Sequence, residues 1–249
     1  MFHIGAQVYT VRNKFSSNGE MKAAFQAIKE IGYDSVQLFG GPDLIKACAE
    51  AAKEAGLQIL GVLADMGTCE QSEKELFAIC AEYSIPDIGI SSNFFECQDT
   101  DTYIARVNAF AVKAKNAGFT FSFHNHGHEF IKLTCGETAM SRFLKEFDAE
   151  KVDFMPDTYW LHDGGYDVRY FLEQTRGRVK YLHLKDMKRT EQGHFFAEVG
   201  NGNLYFEGII KTAIDCGIRN FIVEQDECDG DPIDSLKQSY KTIKAILEK

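Results

Sequence analysis

The sequence predicts an α/β protein built as one closed barrel of eight strand–helix units, a (β/α)8 (TIM) barrel spanning residues 1–249 as a single domain. Three observations predict it. The chain has 249 residues, close to the ~250 that such barrels commonly need. Helical segments repeatedly end in Gly followed by a large apolar residue and a β-rich run, as in Gly32-Tyr33-Asp34-Ser35-Val36, Gly56-Leu57-Gln58-Ile59, Gly118-Phe119-Thr120-Phe121 and Gly217-Ile218-Arg219-Asn220-Phe221. Glycine just past a helix takes the left-handed conformation that ends it, and the next strand begins at once. Finally, no linker or low-complexity tract divides the chain, and no G-x-G-x-x-G follows the first strand, which argues against an open dinucleotide-binding sheet.

Taken in order, the apolar β-rich runs place strands near residues 3–9, 33–39, 57–63, 86–91, 119–125, 151–156, 178–184 and 218–224. The first opens directly from Met1-Phe2-His3-Ile4-Gly5. Amphipathic helices fit between them, at Met21 to Ile31, Leu44 to Ala55, Thr102 to Ala117 and Phe206 to Cys216, with a last one from Ile233 to Leu247. In the first, Met21, Ala24, Phe25, Ile28 and Ile31 recur at helical spacing and form a stripe that faces the sheet. A hydrophobic content of 45% is ordinary for a chain that buries a substantial core.

A net charge of −10 argues against a nucleic-acid partner, because phosphate binding depends on clustered Lys and Arg. Seven cysteines without a C-x-x-C pair read as reduced thiols, as in a cytoplasmic protein. No apolar stretch approaches 18 residues, so neither secretion nor membrane insertion is expected.

In such barrels the active site lies at the C-terminal ends of the strands. The first strand ends in Gln7, Tyr9 and Arg12, the second in Gln37, and the fourth in Ser91, Ser92 and Asn93. The fifth ends in Phe123-His124-Asn125-His126-Gly127-His128-Glu129, where strand alternation points His124 and His126 the same way and Asn125 the other. The sixth ends at Asp157, followed by Thr158, Trp160 and His162. The seventh ends at His183, with Lys185 and Asp186 beyond, and the eighth at Glu224. Four successive strands thus each deliver a carboxylate or imidazole to one rim. Mixed nitrogen and oxygen donors without thiolates suit Mn²⁺, Zn²⁺, Co²⁺ or Mg²⁺.

On these stretches the chain resembles the sugar phosphate isomerase/epimerase family of the xylose isomerase-like TIM barrel type. The motifs are His124-Asn125-His126-Gly127-His128-Glu129-Phe130, Asp157-Thr158-Tyr159-Trp160, His183-Leu184-Lys185-Asp186, Glu198-Val199-Gly200-Asn201-Gly202 and Val223-Glu224-Gln225, with Gln7 to Arg12 at the opening. The family includes ketose 3-epimerases, hydroxypyruvate isomerase, inosose dehydratase and the zinc endonuclease IV group. The resemblance implies one divalent metal held by Asp157, His183, Glu224 and one ligand from the fifth strand. The epimerases place a glutamate there, where this chain has His124. Either His124 coordinates directly or Glu129 reaches back from the loop; Glu129 is preferred because it keeps the carboxylate count. A histidine at that position shifts the balance toward a His-based isomerase or a dehydratase.

The chemistry this implies is removal of a proton next to a sugar carbonyl, with a metal-stabilised enediolate between substrate and product. His126 is the expected base, since an imidazole titrates close to neutrality. His124 and Glu224 stand beside the same reacting atoms. Lys185 holds an anionic oxygen or protonates a leaving group, unless it is a solvated loop lysine. Trp160 stacks on a sugar ring or packs in the core, and Gln7, Arg12 and Glu198 are further substrate-binding candidates. Gly200-Asn201-Gly202 is a turn by default and a phosphate cradle otherwise. The expected function is a metal-dependent sugar or sugar phosphate isomerase or epimerase acting on a small carbohydrate. The rivals are a dehydratase or lyase of a keto-sugar or inosose, with His128 or His162 as acid, an endonuclease IV-type nuclease, and a non-catalytic sugar-binding barrel. Assembly as a homo-oligomer is left open by the sequence.

Overall fold

Short apolar strands that are buried on both faces can be satisfied only inside a sheet with helices outside it and side chains within. The computed structural model describes residues 2–249; Met1, where the opening strand reading starts, lies outside them. In chain order the elements are β1 (His3–Gln7), a 3-10 helix (Val8–Lys14), α1 (Asn18–Ile31), β2 (Ser35–Phe39), α2 (Pro42–Ala55), β3 (Gln58–Asp65), α3 (Met66–Gln71), α4 (Glu73–Glu82) and β4 (Asp87–Ser91). They continue with α5 (Phe94–Gln98), α6 (Thr100–Asn116), β5 (Thr120–His124), a 3-10 turn (His128–Phe130), α7 (Ala139–Glu146), β6 (Asp153–Met155), α8 (Thr158–Asp163) and α9 (Val168–Gln174). The last are β7 (Tyr181–Leu184), β8 (Asp186–Thr190), β9 (Gly193–Ala197), α10 (Phe206–Asp215), β10 (Asn220–Val223) and α11 (Pro232–Leu247).

Eight parallel strands run in the order β6-β5-β4-β3-β2-β1-β10-β7. The ring is closed between β6 and β7 by two isolated parallel bridges, Phe154 with Val179 and Asp157 with His183. The result is a single, nearly closed TIM barrel with helices around it. All eight expected strands are present, and four of the five expected helices begin one to three residues earlier than expected, while α10 begins at Phe206 as expected and α6 and α10 each stop one residue short. The caps explain those starts. Ser17 Oγ accepts from Glu20 N ahead of α1, and Pro42 and Pro232 occupy the first turns of α2 and α11, where a missing N–H costs nothing.

Two departures from the expected elements shape the rim. The first strand stops at Gln7, because the Gln7 side chain accepts from Tyr9 N and turns the chain into the 3-10 helix. The second is an antiparallel hairpin, β8–β9, inserted between β7 and α10. It turns at Gly193, whose φ of 139° favours glycine.

The barrel interior holds Leu60, Met155, Tyr181 and Ile222, while a larger apolar layer lies between strands and helices. Under β5 and β6 that layer is aromatic, with Phe143 stacked on Phe147 at 4.6 Å and Phe123 edge-on to both. All seven cysteines are free. Among the described residues no helix is long and apolar enough to cross a membrane.

Candidate metal centre and cleft

Four side chains from consecutive strands of the ring meet at its C-terminal mouth. His124 is the last residue of β5, Asp157 caps α8 just past β6, His183 lies in β7, and Glu224 follows β10. All four are buried, and one donor atom from each lies within 4.8 Å of the others. His124 Nε2 is 3.5 Å from Asp157 Oδ2 and 3.7 Å from Glu224 Oε2. His183 Nδ1 is 2.8 Å from Glu224 Oε2. This is a buried His/Asp/Glu group able to hold a metal ion.

Glu129, preferred above for the fifth-strand position, is not in this group; His124 stands there instead. The reason is the 3-10 turn at His128–Phe130, which carries Glu129 back beneath the loop rather than toward the mouth. Its Oε1 accepts from Ser92 Oγ at 2.6 Å and its Oε2 from His126 N at 2.8 Å.

The protonation pattern of the centre follows from fixed donors. The Tyr9 amide must donate to Gln7, so the Gln7 atom it meets is oxygen and its Nε2 must donate to Gln37, at 2.7 Å. The Gln37 atom is therefore also oxygen, and His183 Nε2, 2.8 Å away, must carry the proton. Burial lowers the His183 pKa, against the pull of Glu224, so the ring is neutral and its Nδ1 lone pair faces a carboxylate oxygen. Two acceptors at that distance are compatible only with a proton or cation between them.

Other atoms point the same way. Both ring nitrogens of His124 and Oδ2 of Asp157 are buried without a hydrogen-bond partner. Asp157, Glu224 and Asp226 surround a single ammonium, Lys185, whose Nζ is 3.5, 3.5 and 2.7 Å from them. Three carboxylates against one ammonium leave two negative charges once His124 gives up its proton to act as a ligand, and one divalent ion balances them. The residues present therefore fit a divalent metal.

Burial opposes the charge on Asp157 and Glu224, yet Lys185 and then His124 hold both below the usual carboxylate range. Burial also opposes a charge on His124, but Asp157 and Glu224 outweigh it and raise that ring to about 9. Lys185 is fully buried, and its carboxylates keep it firmly protonated, which excludes the solvated loop lysine. Its Nζ sits 5.2 Å from the ring centre of Trp160 and 5.4 Å from that of Phe196 on the hairpin.

The group opens onto a cleft of about 250 Å³, lined among others by Gln7, Tyr9, His126, Lys185 and Asp226. His126 was expected to titrate near neutrality and does not. Burial, with the charges of His124 and Lys185, pulls it down to about 3, so it is a neutral imidazole. Trp160, expected at the substrate, is not among the residues lining the cleft; it meets His126 edge-on at 5.5 Å. Arg12 stands behind the cleft, 3.9 Å over the Tyr9 ring, and donates to the carbonyl of Asp226. Glu198 is remote from it, accepting from Ser235 and Asn201. The Gly200-Asn201-Gly202 turn is not a free phosphate cradle, because Gly200 N and Gly202 N both donate to Asp186 Oδ2 at 2.9 Å. His162 is exposed, and His128 lies on the far side of His126, its ring stacked at 5.4 Å.

Three residues of this arrangement had no expected role. Asp226 carried a signal, since it follows Glu224 by two positions in an extended segment and so shares its side. Gln37 was expected only as the polar end of the second strand; that it pairs in register with Gln7 and accepts from His183 emerges from the fold. Phe196 carried none, because its place depends on the inserted hairpin.

The fold and the buried donor set define a parallel β/α barrel with a metal-competent rim. A sequence profile described as xylose isomerase-like TIM barrel matches residues 25–246, and the chain belongs to that family. Among curated relatives, the inosose dehydratase of Clostridium perfringens is 24% identical over 167 residues, covering 61% of this chain and 55% of that protein. The chain thus spans about half the length of the curated relatives it matches. A sugar phosphate isomerase/epimerase from Parabacteroides distasonis superposes with a TM-score of 0.82 at 23% identity, over 98% of this chain and 94% of that one. A 3-keto-D-glucoside 4-epimerase from E. coli superposes with a TM-score of 0.75 at 16% identity, over 98% and 100%. The family and these neighbours are enzymes of the isomerase, epimerase and dehydratase kinds.

Proposed function

We propose that this protein is a divalent-metal-dependent isomerase or epimerase of a small keto-sugar or its phosphate, working by proton abstraction next to the carbonyl. The observation that carries the reading is the buried group His124, Asp157, His183 and Glu224, with its unpartnered nitrogens and oxygen at the mouth of the barrel. These four residues would hold the ion. When bound, it supplies Lewis-acid stabilisation of the negative charge that develops on the sugar oxygens.

The base is better matched to Asp226 than to His126. Burial raises the Asp226 carboxyl to about 6, against the opposing pull of Lys185, so it is ionised at neutral pH yet basic enough to take a proton. A neutral imidazole drawn down to about 3 is a weak base, and His126 serves as a hydrogen-bonding partner for a substrate hydroxyl. Lys185 keeps its proton and faces the oxygen that gains charge. Gln7 and Tyr9 line the same cleft; Gln7 is spent on Tyr9 N and Gln37, which leaves the Tyr9 ring and hydroxyl to orient the sugar. Trp160 and Phe196 keep water from Lys185.

A second reading, a dehydratase of a keto-sugar or inosose, is supported by the curated relatives and by Lys185, whose fixed positive charge would stabilise negative charge developing on a departing hydroxyl. One experiment tests both. Metal-loaded protein in D₂O is incubated with ketoses, keto-inositols and their phosphates and followed by NMR and mass spectrometry. Deuterium at a carbon beside the carbonyl supports proton abstraction, and loss of water in the same spectra selects the dehydratase. Asp226→Asn should slow exchange by about 10²–10⁴-fold, and His126→Gln by less. The reverse ranking would move the base to His126, and no exchange with any substrate would refute the function.

A further inference from the structure

Beside the first group, on the other side of the β5 loop, lies a second set of donors of different chemistry. Cys97 Sγ from α5, His128 Nε2 and a Glu129 carboxylate oxygen lie within 4.8 Å of one another. His128 Nε2 is 3.4 Å from Glu129 Oε1, and both surround Ser92 Oγ, which is 3.2 Å from Cys97 Sγ and 3.3 Å from His128 Nε2. Donors bound to one tetrahedral zinc at 2.0–2.3 Å stand roughly 3.3–3.8 Å apart; His128 and Glu129 already have that spacing, and Cys97 Sγ lies within 4.8 Å of both.

The charge argues for a ligand as well. Glu129 is fully buried, and among the described residues its one ion-pair partner is His128, with no Lys or Arg in reach. A buried carboxylate without a fixed cation is costly. A divalent ion that also drew the proton from Cys97 would balance both charges, with the thiol proton leaving to solvent. A sulfur, an imidazole and a carboxylate favour a borderline-soft cation over Mg²⁺ or Mn²⁺. A route exists, because Cys97 and His128 line a cleft of about 320 Å³ with Phe94, Gln98, Ile131 and Leu133.

We propose that Cys97, His128 and Glu129 form a second, exchangeable site for Zn²⁺ or a similar ion, separate from the sulfur-free group at the barrel mouth. Ser92 supports it by donating to Glu129. Three protein donors leave one coordination position toward the cleft, which distinguishes the site from a closed structural zinc site. The site is tied to the reactive cleft through one loop: Glu129 Oε2 accepts from His126 N, and the His126 and His128 rings are stacked. An ion here would hold the segment that positions His126.

The test uses Co²⁺ with the full chain, because only a thiolate ligand gives the near-ultraviolet thiolate-to-cobalt absorption. The first group, which lacks sulfur, cannot produce it. The expected result is two Co²⁺ per chain with the thiolate band, falling to one ion without the band in Cys97→Ser, and displacement of the band by Zn²⁺. His128→Gln, which keeps the thiol at a partly exposed position, should weaken the second ion at least tenfold while the first still binds. A single ion with no thiolate band, or a band that persists in Cys97→Ser, would overturn the proposal. Neither readout depends on turnover, so the site stands or falls apart from the catalytic reading.

Discussion

Because Gln37 can only accept from His183, replacing it with leucine frees that imidazole to turn its proton toward Glu224 and lose the lone pair that faces the centre. Gln37→Leu is expected to weaken divalent-metal binding by about 10–100-fold, the usual cost of losing a partner that orients a ligand. Gln37→Glu, which keeps an acceptor, should retain most of the affinity. Chelator competition measures both, and equal affinities in the two variants would refute the tautomer assignment. His124 gives a pH dependence. Its pKa in the metal-free protein is raised to about 9, and a ligand imidazole must be unprotonated. Metal affinity should therefore rise about tenfold per pH unit up to that value and level off above it. Near pH 7.5, calorimetry in buffers of different ionisation enthalpy should find close to one proton released per ion from this residue. The same raised pKa works in the opposite direction on folding. Without metal, the stability contributed by His124 is fully present below its unfolded value and is lost as pH rises through about 9.

At the scale of elements, the turn before α10 exists to enclose Asp186, which accepts from the amides of Met187, Gly200, Gly202 and Leu204. A Cβ on Gly202 would meet Asp186 Oδ1 at 2.3 Å and the Met187 carbonyl at 2.4 Å. Gly202→Ala should cost about 1–3 kcal/mol in urea denaturation, the range for overpacking a closed environment. A neutral result would mean the turn is looser than its hydrogen bonds indicate. This element also marks where the sequence stops being readable. The β-α units were legible because Gly32, Gly56, Gly118 and Gly217 punctuate a repeated pattern in four of the eight, and the apolar β-rich runs mark the rest. The β8–β9 hairpin breaks that pattern once, and no strand was expected there; its apolar residues, Met187, Phe196 and Ala197 among them, are outnumbered by polar ones. For the same reason the strand ends Asp157, His183 and Glu224 were legible as a group, whereas the direction of Glu129 was not. A single 3-10 turn decides it, and local composition does not encode that turn.

For the whole molecule, an ion bound by the folded chain alone raises stability by about 2.7 kcal/mol at a hundred times its dissociation constant. Dialysis against a chelator should lower the melting temperature, and adding Mn²⁺ or Co²⁺ back should restore it in the wild type. The restoration should be lost, or much reduced, in Asp157→Asn. A melting temperature indifferent to metal in every preparation would mean the donor group has another purpose. The ring of strands gives this coupling a location. Seven of its eight junctions are continuous ladders, whereas β6 and β7 touch at two isolated bridges, one of them Asp157 with His183. Two of the four donors flank that joint, His124 lies on one side of it and Glu224 on the other. An ion at the centre would then act as the buckle of a belt, and removing it should release the joint before any other part of the hoop. The amides of Phe154 and His183, which donate across it to the carbonyls of Arg178 and Pro156, should be the first in the barrel to exchange with heavy water once the metal is gone.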